Sequence, residues 1–215
     1  MSRLGMVFGV VGIVLVIVGF VGPWWTVDTS ASLFGQTVSS TAEFRLFGGT
    51  ATVKAPGFNQ TNTTDYSNEP NTRSVFLTGA ALAGVAIALG VVMVVLAAMA
   101  GSRPSFRRLA AACGILAFVL ALVAALYVMA SLPAAVNQDS QGGPIQISGF
   151  WGTSSTTFLG ATATVTWAAG WAWYVVLVGA IVFLIGGIVA LVARRGTAAR
   201  APGAAQGPPE SPPEP

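Results

Sequence analysis

Five carboxylates precede the C-terminal tail and are the only acids that could do chemistry: Asp28, Glu43, Asp65, Glu69 and Asp139. General acid and base catalysis needs a titratable group held within hydrogen-bond reach of a partner. Asp28, beside Trp24 and Trp25, is the best placed of the five, yet no partner stands near it in the sequence. The chain contains no histidine and a single cysteine, Cys113. Ser-His-Asp and Cys-His nucleophile systems are therefore excluded, as are metal sites built on His or Cys clusters. Cys113 falls inside an apolar run, has no partner for an internal disulfide, and reads as a small packing residue. These residues predict a protein that is not an enzyme, with no cofactor and no metal.

The elements that carry these residues explain their scarcity. Residues 4–27, 74–102, 109–138 and 140–193 contain no Asp, Glu, Lys or Arg. A bilayer core about 30 Å thick is crossed by roughly 20 apolar helical residues, and each stretch holds such a run. Charged residues make up 8% of the chain and apolar ones 54%, a balance that suits lipid as the solvent. An ionisable group inside a span is the usual mark of a proton relay or ion path, and these spans have none.

The predicted layout follows. Residues 1–3 precede a first span at 4–23, and a long loop at 24–74 leads to a second span at 75–100. A short connection at 101–108 joins it to a third span at 109–132. A second loop at 133–167 leads to a fourth span at 168–193, and 194–215 form a disordered Pro-rich tail. A cleaved signal peptide is the competing reading of the N-terminus. The apolar run is longer than a normal signal core and ends in Gly22-Pro23-Trp24-Trp25 rather than a small-residue cleavage site, so retention of the first helix is expected.

Basic residues set the orientation. Arg3, Arg103, Arg107, Arg108, Arg194, Arg195 and Arg200 flank one set of span ends. The positive-inside rule then puts both termini in the cytoplasm of a plasma-membrane protein and both long loops outside. Arg103, Arg107, Arg108, Arg194 and Arg195 are expected to anchor the inner helix ends to lipid. Trp24, Trp25, Trp167, Trp171 and Trp173 fall at the opposite ends and are expected as aromatic anchors at headgroup depth. Although the sequence pI is about 9.6, the net charge is only +3 and is divided among separate loops. A nucleic-acid partner is not expected.

The loops read as strands. In the first, 25–32, 36–47 and 50–54 form a meander of about three. Val38, Ala42, Phe44 and Leu46 share one face of the middle strand; Thr37, Ser39, Thr41, Glu43 and Arg45 share the other. Phe34-Gly35 and Gly48-Gly49 supply the turns, and residues 56–71 read as an irregular exposed connection. In the second loop, Ile145, Ile147 and Trp151 alternate in one strand and 156–166 form another. The expected fold class is thus mainly α: a four-helix transmembrane bundle carrying one small antiparallel extracellular sheet. An echo between 47–53 (Phe-Gly-Gly-Thr-Ala-Thr-Val) and 158–165 (Phe-Leu-Gly-Ala-Thr-Ala-Thr-Val) suggests two halves repeated about an axis along the membrane normal.

Small residues mark helix contacts: Gly5 with Gly9, Ala80 with Gly84, and Ala110 with Gly114 stand four apart and permit close backbone approach. Asn59-Gln60-Thr61 and Asn62-Thr63-Thr64 match the N-glycosylation acceptor, making Asn59 and Asn62 candidate modification sites. The tail's two P-x-x-P steps read as solvated chain.

The four spans, the long first and shorter second loop, and the exit Pro23-Trp24-Trp25 into a strand resemble the claudin and peripheral-myelin-protein group of tetraspans. That resemblance implies a left-handed four-helix bundle under a five-stranded outer sheet. The group's Gly-Leu-Trp followed by two cysteines is absent, with Leu46-Phe47-Gly48 standing nearest, so a pore or barrier role is not implied. The expected function is structural, adhesive or that of an accessory subunit. The outer layer would meet another membrane or envelope protein or a second copy, with Phe44, Phe47, Phe150 and Trp151 as candidate contacts. The alternative is a transporter or channel component for a neutral or lipidic solute, along Thr78, Tyr127 and Ser131.

Overall fold

A computed structural model describes residues 3–33, 36–100, 104–141, 146–158 and 161–192. Four described helices are long and apolar enough to cross a membrane: α1 (Arg3–Val21), α2 (Pro70–Met99), α3 (Pro104–Asp139) and α4 (Trp171–Val192). They form a ring in which α1 packs on α2 and α4, and α3 packs on α2 and α4. The middle of the ring is filled by Phe183 and Met93, both fully buried. Glycines make room for them. A Cβ at Gly12 or Gly90 would lie 2.8 or 2.7 Å from the Phe183 ring, and one at Gly114 or Gly186 would lie 2.8 Å from Met93. Valines and isoleucines such as Val14, Ile17, Val95 and Ile181 point outward, as expected where lipid is the solvent.

Two helices outrun the expected spans. The 36 residues of α3 would reach about 54 Å at 1.5 Å per residue, well beyond the hydrocarbon core. The helix continues past Pro133, where the sequence reading ended its span. Partners for its last turns explain this. Asn137 donates Nδ2 to the Ile147 carbonyl at 2.8 Å and accepts the Ile147 N–H at 2.9 Å. Ile147 is thereby paired with a side chain instead of a neighbouring strand, and the expected strand does not form at Ile147 and Trp151, while Ile145 lies outside the described residues.

The strands are β1 (Trp25–Leu33), β2 (Gln36–Arg45), β3 (Gly48–Ala55), β4 (Phe58–Thr64), β5 (Gly152–Phe158) and β6 (Ala161–Ala169). They make one antiparallel sheet in the order β4-β3-β2-β1-β6-β5. Six strands replace the expected five, because the segment read as irregular pairs with β3 from Gly49↔Thr64 to Ala55↔Phe58. Its two Asn residues lower strand propensity while its three Thr residues raise it, and an edge strand exposed along its whole length asks for little burial.

The two loops meet at β1 and β6, whose register runs from Trp25↔Ala169 to Ser32↔Thr162. The junction is tight: Gly170 donates its N–H to the Trp24 carbonyl at 2.9 Å, and Ala172 donates to Pro23 at 3.1 Å. A Cβ at Gly170 would collide with the Pro23 carbonyl, so only glycine fits there. Residues 48–53 of the first echo lie in β3 and 161–165 of the second in β6. Three antiparallel pairings separate these strands, so they run in opposite senses. The two strands stand at matching places, each second from an edge of the sheet.

Candidate interaction surface

Beneath the sheet lies an aromatic seam that locks it to the helices. Trp25 packs on Phe44 with ring centroids 5.2 Å apart, Phe44 on Tyr66 at 6.1 Å, and Tyr66 on Phe76 at 5.4 Å. On the other side Phe150 packs on Trp173 at 5.7 Å. Tyr66 is the keystone. Its backbone is left-handed at φ 60°, and its hydroxyl sits in the turn between β2 and β3. The oxygen accepts the Arg45 N–H at 3.0 Å, and the hydroxyl proton has the Gly48 and Arg45 carbonyls at 2.8 and 2.9 Å. Burial pushes the Tyr66 pKa well above its ordinary 10.0.

The same seam changes the role of most of the expected lipid anchors. Trp24, Trp25, Trp167 and Trp173 are buried, not lipid-facing. Each indole N–H is satisfied inside the protein, by the carbonyls of Gly19, Phe150, Gly149 and Ala125 respectively, at 2.8 to 2.9 Å. Burying the large ring and pairing its one donor satisfies both halves of the side chain. Trp171 alone of the five is exposed, at 52%. At the far end of the bundle Arg107 is half-buried and Arg108 exposed; Arg103, Arg194, Arg195 and the tail lie outside the described residues.

Of the candidate contacts, Phe150 is buried and Phe44 packs against the core, so neither offers a free surface. Trp151 and Phe47 are exposed, at 46% and 61%, with Phe47 leaning edge-on against Phe20 at 5.4 Å. Asn59 and Asn62 stand on the exposed β4, on opposite faces because two residues lie between them.

Sequence reasoning missed the surface that the pairing builds. Thr153, Thr166, Asp28, Thr41, Thr52 and Thr61 face one another in register across all six strands. Hydrogen bonds link neighbours along the row: Thr41 donates to Asp28 Oδ1 at 2.7 Å, and the hydroxyls of Thr52 and Thr61 and of Thr153 and Thr166 are hydrogen-bonded at 3.0 and 3.3 Å. A second row parallel to it holds Ser155, Thr164, Ser30, Ser39, Lys54 and Asn59. The alternation of hydroxyl residues in each strand was the available signal. Alignment of separate strands was not legible.

Four of the acids have separate partners. Asp28 holds Thr41, Glu43 holds Arg45, and Asp65 accepts the Ser67 N–H at 3.0 Å. Asp139 caps α2 by accepting from Asn71 and Thr72. Among the described residues no group of three His, Cys, Asp or Glu is placed to hold a metal. Thr78 is exposed and donates to the Ser74 carbonyl at 2.9 Å. It opens onto a surface groove of about 580 Å³ between Ser67 and Ala81 that no α3 residue lines. Tyr127 and Ser131 are half-buried on α3. No protein-family model matches the chain, and no curated protein is similar to it in sequence.

Proposed function

We propose that the protein is a non-catalytic multi-pass protein of the plasma membrane. Both termini lie in the cytoplasm, and the six-stranded layer outside acts as a structural, adhesive or accessory-subunit surface. Its partner is another membrane or envelope protein or a second copy of the chain. The observation that carries this reading is the pair of hydroxyl rows spanning the sheet, with Asp28 and Lys54 as their charges. Such a face is polar, ordered by its own hydrogen bonds, and held on the bundle by Tyr66 and Trp25. A rigid hydrogen-bonding surface loses little entropy on docking. The arginines at the opposite helix ends support the orientation, and the architecture's likeness to the claudin and peripheral-myelin-protein tetraspans supports the class.

The experiment combines topology with capture. In a Cys113→Ser background, Gln60→Cys should react with a membrane-impermeant maleimide on intact cells, whereas a cysteine at residue 205 should not. A photo-crosslinker at Thr41 or Thr52 should then capture one defined partner or a second copy in native membranes. Shielding of residue 60, or crosslinks to lipid and solvent alone, would overturn the proposal.

A further inference from the structure

One charged pair lies where the sheet meets the first helix. Glu43 and Arg45 are two residues apart on β2 and share its polar face, opposite the Phe44 ring in the aromatic seam. Their side chains pair at 3.0 Å and remain 36% and 44% exposed. Two open grooves, about 460 and 480 Å³, meet at Arg45 and Val21. The second runs down α1 past Val18 and Ile17 and is walled by Trp171. Ile17, Val18 and Val21 are all exposed and apolar. They form the last turns of a helix able to cross a membrane. Arg45 and Glu43 therefore stand just past the hydrocarbon edge, at headgroup depth.

Trp171 adds a donor. Trp24, Trp25, Trp167 and Trp173 each give their indole N–H to a carbonyl. Among the described residues Trp171 Nε1 gives its proton to nothing, although the ring is wedged against Gly22, where a Cβ would lie 2.5 Å away. An ordered, half-exposed indole at the rim of an apolar groove is suited to a phosphate or ester oxygen.

We propose that Arg45, Glu43 and Trp171 form a binding site for a phosphoethanolamine lipid. The Arg45 guanidinium holds the phosphate, its remaining N–H donors being free of Glu43. Glu43 accepts from the primary ammonium, and Trp171 donates to a phosphate or glycerol-ester oxygen. One acyl chain lies along Val21, Val18 and Ile17. Charge complementarity selects this headgroup. A lone arginine would favour any anionic lipid, but the adjacent carboxylate opposes a net negative headgroup and matches a cation bound beside the phosphate. Phosphocholine satisfies the charge but has no N–H for Glu43. The inference rests on the helices crossing a bilayer and not on a protein partner, so its failure would leave the proposed outer interaction standing.

Native mass spectrometry of the delipidated full-length protein tests it, using palmitoyl-oleoyl phosphatidylethanolamine, phosphatidylcholine and phosphatidylglycerol at equal concentration. The expected result is one saturable adduct with the ethanolamine lipid, formed in preference to the other two. Arg45→Gln should weaken it about tenfold, the usual loss for one charge-assisted hydrogen bond. Glu43→Gln should shift preference toward phosphatidylglycerol. Among the described residues the two side chains bond only to each other, so neither substitution removes a hydrogen bond of the sheet; near-ultraviolet circular dichroism verifies folding. Trp171→Phe, which keeps the ring and removes the donor, gives an independent measure and should also weaken the adduct. Unsaturable adducts, equal retention of the three lipids, a wild-type preference for phosphatidylglycerol, or adducts unchanged in all three variants would overturn the proposal.

Discussion

The Asp139 carboxylate, in the last turn of α3, caps the first turn of α2 by accepting the Thr72 N–H at 2.7 Å. Its other oxygen accepts the Asn71 N–H at 3.1 Å and the Asn71 amide at 2.8 Å. The first N–H groups of a helix have no partner within it, and Glu69, at the N-cap position, makes no side-chain cap bond. A residue 67 positions away in sequence supplies the acceptor. Asp139→Ala should therefore destabilise the protein by about 1 kcal/mol, the typical cost of a lost cap, as read by thermal unfolding in detergent.

The same carboxylate carries a pH signature. Asp139 stands a turn and a half beyond Pro133, past the apolar run of α3. Burial acts to raise its pKa, but the hydrogen bonds from Thr72 and Asn71 outweigh this and hold it below the ordinary 3.8. A depressed folded-state pKa means that the cap is fully stabilising above 3.8 and is lost as pH falls through the folded value. Wild type and Asp139→Ala should thus differ in melting temperature at pH 7 and converge in strong acid.

Glu69 has the opposite sign. Burial, and then the nearby Asp139 charge, raise it above its ordinary 4.5. Its contribution is most favourable below 4.5 and is lost as pH rises through the folded value. Glu69→Gln should raise the melting temperature at pH 7, and the gain should vanish when the measurement is repeated below pH 4.5.

Tyr66→Phe leaves the Arg45 N–H without the phenolic acceptor and two carbonyls without its proton. A buried polar group stripped of its partner costs about 1–3 kcal/mol, so denaturant or heat should unfold this variant first at the sheet. Ultraviolet titration gives a second measure. Tyr66 should remain protonated at a pH where a free tyrosine has become phenolate, until the sheet itself unfolds.

Phe183 reaches between Gly12 and Gly90 at the bundle centre. Phe183→Ala should cost about 3–5 kcal/mol through the cavity it leaves. Gly90→Ala should destabilise alone, since its Cβ would meet the ring at 2.7 Å, and should be partly rescued by Phe183→Leu. Additive losses in the double variant would show that the two positions do not share this space.

The sequence by itself determined the four long apolar helices, because the match between a charge-free run and lipid is settled residue by residue along one segment. It also determined the alternation of β1 and β2, since period-two patterning is likewise local. Contacts between distant segments decided the rest. Register alone brought β1 beside β6 and aligned hydroxyls from six strands into rows. Four tryptophans at span ends carried the composition of lipid anchors, but each found a carbonyl inside the fold. Two helices overran their apolar cores because Asn137 and Asp139 met backbone groups of other segments. A hydrogen-bond partner supplied from far along the chain leaves no trace in local pattern, and for that reason the tertiary structure, not the sequence, decided which polar residues are spent on the fold and which remain on its surface.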